Sequence, residues 1–235
     1  MVFLRNDIYE ILVEETPDRG KEAKALLDWT DPDLLRELLR KRFVYSKIAG
    51  KNVSFSDVWR KICVTHVNGE ESSQFLIERS LMRPRCLLDL LQHCRSYAVN
   101  LRHNRITEED IYKGLIQYST DLLVDIGLEL RDIFPAANDI LYAFIGLRSR
   151  LPLREMKTYL KEAIAEEEKL DRITNLLLWH GVLGIVREDG EKTYIYDVSY
   201  DMKLLRGLAK KAGGENLIAE INPAFWSALE IKEVD

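Results

Sequence analysis

The segment Ile106-Thr-Glu-Glu-Asp-Ile111 most tightly constrains this fold. A Thr three residues before a carboxylate is the pattern in which each side chain bonds the other's backbone N–H, so a helix must begin at about residue 108. Apolar spacing then carries that helix to roughly Leu130. Just upstream, Leu87, Leu88, Leu91, Cys94, Ala98 and Leu101 recur at steps of three and four, which predicts a helix from about Pro84 to Asn100. Two shorter helices precede it. Thr30-Asp-Pro-Asp offers a cap at Thr30 or Asp31 and Pro32 in the first turn, with Leu34, Leu35, Leu38 and Leu39 on one face. Ser54-Phe-Ser-Asp57 opens the second. To about residue 134 the chain reads as almost wholly helical.

Beyond Phe134-Pro135 the pattern changes. Helices are expected at about 136–148, at 152–166 with Pro152 in the first turn, and at 170–180. Gly181 to Val198 then reads as a β-hairpin turning at Asp189-Gly190, with Tyr194, Tyr196 and Val198 on one strand face. Three short helices followed by a hairpin are the outline of a winged helix. A further helix at about 200–210, a break at Gly213-Gly214, the apolar run Leu217-Ile-Ala-Glu-Ile221 and a turn at Pro223-Ala-Phe-Trp226 complete the chain. The fold class is therefore mainly α: a helical, lid-type bundle followed by a winged-helix domain with one β-hairpin. Three segments follow, at 1–50, 51–134 and 135–235.

Composition bounds the function. Hydrophobic residues make up 46% of the chain, enough for a real core, and the net charge is −5, which argues against a generally basic nucleic-acid binder but not against a local patch. The three cysteines, Cys63, Cys86 and Cys94, are odd in number and lack CxxC spacing, so neither a disulfide framework nor a zinc site is indicated, and a reducing cytoplasm is the expected compartment. No apolar run approaches the roughly 18 residues of a membrane span. GxxxxGK[ST], HExxH, GxSxG and GxGxxG are all missing, and His66, His93, His103 and His180 have no close ligand spacing. Catalysis by this chain alone is not expected. Val2-Phe-Leu4, ending at Arg5, reads as a buried strand with no partner strand nearby, which points to a fragment of a larger sheet.

Taken in order, these segments resemble the signal-transduction (STAND-like) and AAA+ P-loop ATPases. Phe3-Leu-Arg-Asn-Asp-Ile8 resembles the strand end after the Walker B strand. Leu27-Asp-Trp-Thr-Asp-Pro-Asp-Leu-Leu-Arg resembles the helix that follows it. Arg83-Pro-Arg-Cys-Leu-Leu with Arg105-Ile-Thr-Glu-Glu-Asp-Ile resembles the helical lid, and a winged helix with an Asn222-Pro-Ala-Phe225 turn comes after. The resemblance implies a nucleotide-responsive regulatory portion that couples ATP state to a protein or DNA partner. It also implies that Arg5, Arg83 and Arg85 sense nucleotide, Arg85 foremost because it lies in the first helical turn. Walker A and Walker B segments are absent, so the chain alone carries no cofactor. ATP and Mg would be held only by a P-loop domain upstream. The implied partners are that ATPase core or another protein, with DNA and self-association as further options and no membrane.

Plainer readings stand beside these. Arg83 and Arg85 sit where the helix macrodipole is positive. They are either solvated or paired with internal acids, or they await an external anion, whose phosphate oxygens a guanidinium fork would suit. In the winged helix, Arg172, Thr174 and Asn175 occupy the DNA-reading positions, with Arg187 and Lys192 on the wing. Between residues 154 and 172, however, five Lys/Arg face six acids, and phosphate contact needs a positive excess. The alternative function is a self-standing winged-helix adaptor or DNA-binding regulator with no nucleotide role.

Overall fold

The computed structural model describes residues 28–135, 139–163 and 167–234. The strand expected at residues 2–4, and Arg5 with it, lie outside the described residues. Helix α1, Pro32–Tyr45, starts where the Asp31 carboxylate accepts the Asp33 N–H at 2.8 Å and Pro32 fills the first turn. Leu35 and Leu39 are buried, but Leu34, expected on the same face, lies about 100° round the helix and remains 44% exposed. Helix α2, Phe55–Ile62, is capped by Ser54, whose hydroxyl accepts from Asp57 N–H at 3.2 Å. Its Trp59 is buried, stacks on Phe55 at 5.4 Å, and donates its indole N–H to Ser72 at 2.8 Å.

A small hairpin interrupts the helices. Strands β1, His66–Val67, and β2, Glu70–Glu71, turn through Asn68 and Gly69 at φ 51° and 82°. Two successive left-handed residues make the turn that suits strand twist, and Asn-Gly is its usual sequence. Glu71 then caps α3, Ser72–Glu78, by accepting from Ser73 N–H at 3.1 Å and Gln74 N–H at 2.9 Å.

Helices α4, Pro84–Asn100, and α5, Glu108–Ile133, form the spine. They run antiparallel: Cys94 lies against Gly114, His93 against Asp121 and Arg83 beside Glu129, so one number falls as the other rises. At Gly114 the helices come so close that a Cβ there would sit 2.7 Å from both the Cys94 backbone nitrogen and its Sγ. The capping box at the start of α5 forms as expected. Asp110 accepts from the Thr107 N–H at 2.9 Å and from its hydroxyl at 2.8 Å, while the Asp110 N–H donates to Thr107 Oγ1 at 3.3 Å. His103 Nδ1 lies 2.8 Å from the same carboxylate.

Of the helix expected at 136–148, residues 136–138 lie outside the described residues, and the rest holds only a 3-10 turn, Ile140–Phe144. Strand β3, Arg150–Pro152, takes Pro152 as its last residue, so α6, Leu153–Ala163, starts one residue later than expected. Helix α7, Leu170–Trp179, leads into β4, Leu183–Val186, and β5, Lys192–Thr193. The hairpin exists but its second strand is short. Tyr194, Tyr196 and Val198 do not share a strand face, because Ile195–Val198 coils into a 3-10 turn. Asp197 accepts the Tyr194 N–H at 2.8 Å and the Tyr194 and Tyr196 rings stack at 5.3 Å, which curls the backbone away from the ladder. Helix α8, Met202–Lys211, follows, with Asp201 accepting the Leu204 N–H at 2.9 Å. The apolar run after Gly213-Gly214 becomes β6, Ile218–Ile221.

The four-stranded sheet is antiparallel in the order β3-β6-β4-β5, with Leu151 and Ile185 both opposite Ala219. The helix–helix–hairpin succession of a winged helix is thus present, with a tail strand inserted at its centre. Glu220, on β6, is only 3% exposed, yet it accepts from Arg150 Nε at 2.6 Å and from the Tyr194 hydroxyl at 2.9 Å. A buried carboxylate persists because it is paired and hydrogen-bonded. The chain ends its packing in a turn at Pro223–Phe225 and α9, Trp226–Leu229. Phe225 and Leu229 are fully buried and the Ala228 N–H donates to Ser119 on α5 at 3.1 Å. One apolar core therefore runs from Leu35 to Leu229. The protein is mainly helical with a small antiparallel sheet.

Two glycine replacements test this packing with opposite signs. Gly114→Ala should destabilise by about 1–3 kcal/mol, since the methyl meets backbone. Gly207→Ala, on α8 with nothing within 4 Å, should stabilise by up to about 1 kcal/mol. Urea unfolding midpoints of the two variants give both signs directly.

A pH dependence also follows. Burial pushes the Asp110 carboxyl up, but bonds from His103 and Thr107 outweigh it and leave the group below its ordinary value. The folded protein therefore stays ionised there where the unfolded chain would take up a proton. Asp110 adds stability above about pH 4, and that part is lost as pH falls further. Acid titrations of Asp110→Asn and the parent chain, followed by circular dichroism, should differ least at the lowest pH.

Candidate functional site

Arg83 and Arg85 flank Pro84 at the start of α4, and the structure treats them differently. Arg83 occupies the cap position but does not cap the helix. Its guanidinium crosses to the other half of the protein, with Nη2 3.4 Å from the His180 carbonyl and Nη1 3.7 Å from Glu129 on α5. Tyr200 is the third neighbour. Burial pushes its phenol up and the Arg83 charge opposes that. His180 itself is buried, with Nδ1 2.9 Å from Glu129.

Unusual backbone converges on this point. Leu81 and Met82, directly before Arg83, hold φ of 54° and 52°, and Ser199 and Tyr200 hold 50° and 63°. Left-handed residues other than glycine cost on the order of 1–2 kcal/mol each, so the surrounding packing must enforce them. Leu81 is buried, and the Ser80 hydroxyl donates to Ile77 O at 2.7 Å, which locks the turn. Arg83 is thus a clasp between the helical half and the winged half. Glu129, His180 and Tyr200 carry no motif that would announce them, since they reach Arg83 only through the tertiary fold.

Arg85 points outward. Its side chain is 86% exposed, and Asp89, one turn along, lies 3.6 Å from its Nε. Both arginines border a groove of about 370 Å³ between α4 and α5. That groove also holds Asp89, Asp121, Asp125 and Glu129, with His93 3.2 Å from Asp121. Four carboxylates against two guanidinium groups make a poor bed for a triphosphate. On its wall, burial pushes the Cys86 thiol and the Tyr118 phenol up. Among the described residues no group of three or more His, Cys, Asp or Glu is placed to hold a metal ion. No helix of the described residues is long and apolar enough to cross a membrane.

The expected reader helix α7 is occupied by its own fold. Arg172 is exposed. Thr174, expected at a reading position, is instead buried and donates its hydroxyl to Leu170 O at 2.8 Å, so it cannot reach a base edge. Asn175 donates to Asp171 O at 2.8 Å and accepts from Arg206 Nε at 3.3 Å. On the wing, Arg187 pairs with Glu191 and lies 3.9 Å from Asp189, while Lys192 reaches back to Glu78 of α3 at 3.2 Å. These side chains hold the wing together and tie it to the helical half, rather than presenting a free row of donors.

The helical half also has a counterpart among known families. Residues 33–127 match the FunZ-associated C-terminal helical domain. The match begins in α1, covers the β1–β2 hairpin and α4, and ends within α5. The matched segment contains Arg83, Arg85 and most of the groove, while the winged half lies outside it. Searches of curated proteins and of solved structures return no match.

The different settings of the two arginines separate by substitution. Arg83→Ala should cost about 1–2 kcal/mol, because it removes the clasp and leaves buried polar neighbours, whereas Arg85→Ala should stay within about 0.5 kcal/mol of the parent. Thermal unfolding of both variants checks this.

Proposed function

We propose that this chain is the C-terminal regulatory module of a larger nucleotide-dependent P-loop protein, and that Arg85 is the side chain it offers to the nucleotide-bearing domain. One observation carries the reading. Arg85 is a strongly exposed cation in the first turn of a 17-residue helix, where the helix's free N–H groups already attract anions, and its internal partner is a single loosely placed carboxylate. An external phosphate would satisfy both the guanidinium and the helix end. The acidic lining of the groove favours a phosphate held by the neighbouring domain over one bound inside this chain. The likeness of residues 33–127 to a domain described as C-terminal supports the placement within a larger protein.

In this mechanism Arg83 has the second role. It holds the winged half against the α4–α5 spine, so a displacement of α4 on phosphate contact would be passed to the end of α7 through His180 and to the turn before α8 through Tyr200. The test is expression together with the coding sequence directly upstream. Arg85→Ala should lower ATP turnover by about a hundredfold without changing the unfolding midpoint. Unchanged nucleotide binding and turnover would remove Arg85 from the role.

A further inference from the structure

A second cavity, of about 480 Å³, lies along the seam between the helical half and the wing, and it shares no lining residue with the groove beside Arg85. Small-molecule sites span about 300–1,000 Å³, so this one suits a ligand at the small end of that range. Its apolar wall is formed by Met82, Leu208 and the stacked rings of Tyr194 and Tyr196. The polar ends of those rings are engaged elsewhere: the Tyr194 hydroxyl donates to Glu220 at 2.9 Å, and the Tyr196 hydroxyl accepts from Asn222 at 3.1 Å. The tyrosines therefore offer the cavity carbon surface.

Four charged side chains share the remaining wall, two of each sign. Lys192 spans the seam to Glu78 at 3.2 Å, and Glu78 also accepts from Gln74 at 3.0 Å. Asp197 accepts the Tyr194 N–H; desolvation pushes its carboxyl up, and the nearby Lys192 and Arg187 charges oppose that. Arg187 pairs with Glu191, yet its Nε is buried and has no hydrogen-bond partner among the described residues. A buried donor without an acceptor is costly, and an added carboxylate would satisfy it.

We propose that this cavity binds a small zwitterion with an apolar body, of the α-amino acid or dipeptide class. The ligand carboxylate goes to Arg187 and Lys192, its ammonium to Asp197 and Glu78, and its side chains to the Met82–Leu208 wall. A nucleotide fits less well, because its phosphates would meet as many acids as bases. A neutral apolar ligand would strip water from four charges and pair none of them. Because the walls come from both halves, an occupant strengthens the seam. The site is independent of the Arg85 reading, and its test involves no nucleotide hydrolysis.

The experiment is isothermal titration of the whole chain with L-leucine, L-leucyl-L-leucine and two blocked forms of the dipeptide. A Kd of about 0.1–1 mM is expected for the dipeptide. At ten times Kd it should raise the unfolding temperature by about 3–5 °C. N-acetyl-leucyl-leucine lacks the ammonium and leucyl-leucinamide lacks the carboxylate, so each should bind at least about tenfold more weakly to the parent protein. Asp197→Asn keeps an acceptor for the Tyr194 N–H, and Arg187→Gln changes one side chain of the wing. Each should weaken the dipeptide at least about tenfold while the free protein unfolds at the parent temperature. Binding of L-leucine as tight as that of the dipeptide supports the class and assigns the site to single amino acids. The proposal is overturned if neither compound binds at about 10 mM, if the blocked forms bind as well as the dipeptide, or if both variants keep parental affinity. Tighter binding of adenosine monophosphate than of either zwitterion would overturn it too.

Discussion

The close approach of α4 and α5 at Gly114 is the constraint on which the rest of the molecule depends. With only a hydrogen at that position, the Cys94 backbone and sulfur can lie directly against α5. The register set there brings Arg83 to Glu129, leaves the groove open on one side, and turns Ser119 toward the tail, where it receives the Ala228 N–H. A wider helix pair would draw Arg83 away from Glu129 and reshape the groove together, because both depend on the spacing of α4 and α5.

Position at the helix start divides two chemically identical residues. Arg83 and Arg85 lie on either side of one proline, yet one is drawn into the seam between the two halves and the other stands in solvent. The difference comes from helix geometry. The cap residue retains extended backbone and can direct its side chain back across the seam, while a residue in the first turn projects from the helix. The carboxylates along α5 then give the groove an acidic character that neither arginine reverses.

The sequence made the helices legible wherever their ends carried explicit chemistry. Asp31, Ser54 and Thr107 all cap as their side chains dictate, and Pro84 starts α4 where expected. The β1–β2 hairpin had a clear signal in Asn68-Gly69, which the surrounding helical periodicity masked. What could not be read was decided by side-chain partners that the hydrophobic pattern does not show. Tyr194 to Val198 alternates like a strand, but Asp197 and the stacked tyrosines coil it, and the strand that fills the sheet comes instead from residues 218–221. At the candidate site, both arginines were visible as odd charges at a helix start. Their separate fates depend on Glu129, His180 and Tyr200, which only the folded chain brings within reach.

The position of β6 has a kinetic corollary. Its neighbours β3 and β4 are made 66 and 32 residues earlier, as the registers Pro152–Ile218 and Val186–Ile218 show, and they do not pair with each other. On the ribosome the helical half can collapse early from local contacts, but the sheet stays unzipped until residue 221 has left the exit tunnel. During that interval two strand edges are open, and a chain stalled there would be far more prone to sticking than the finished protein.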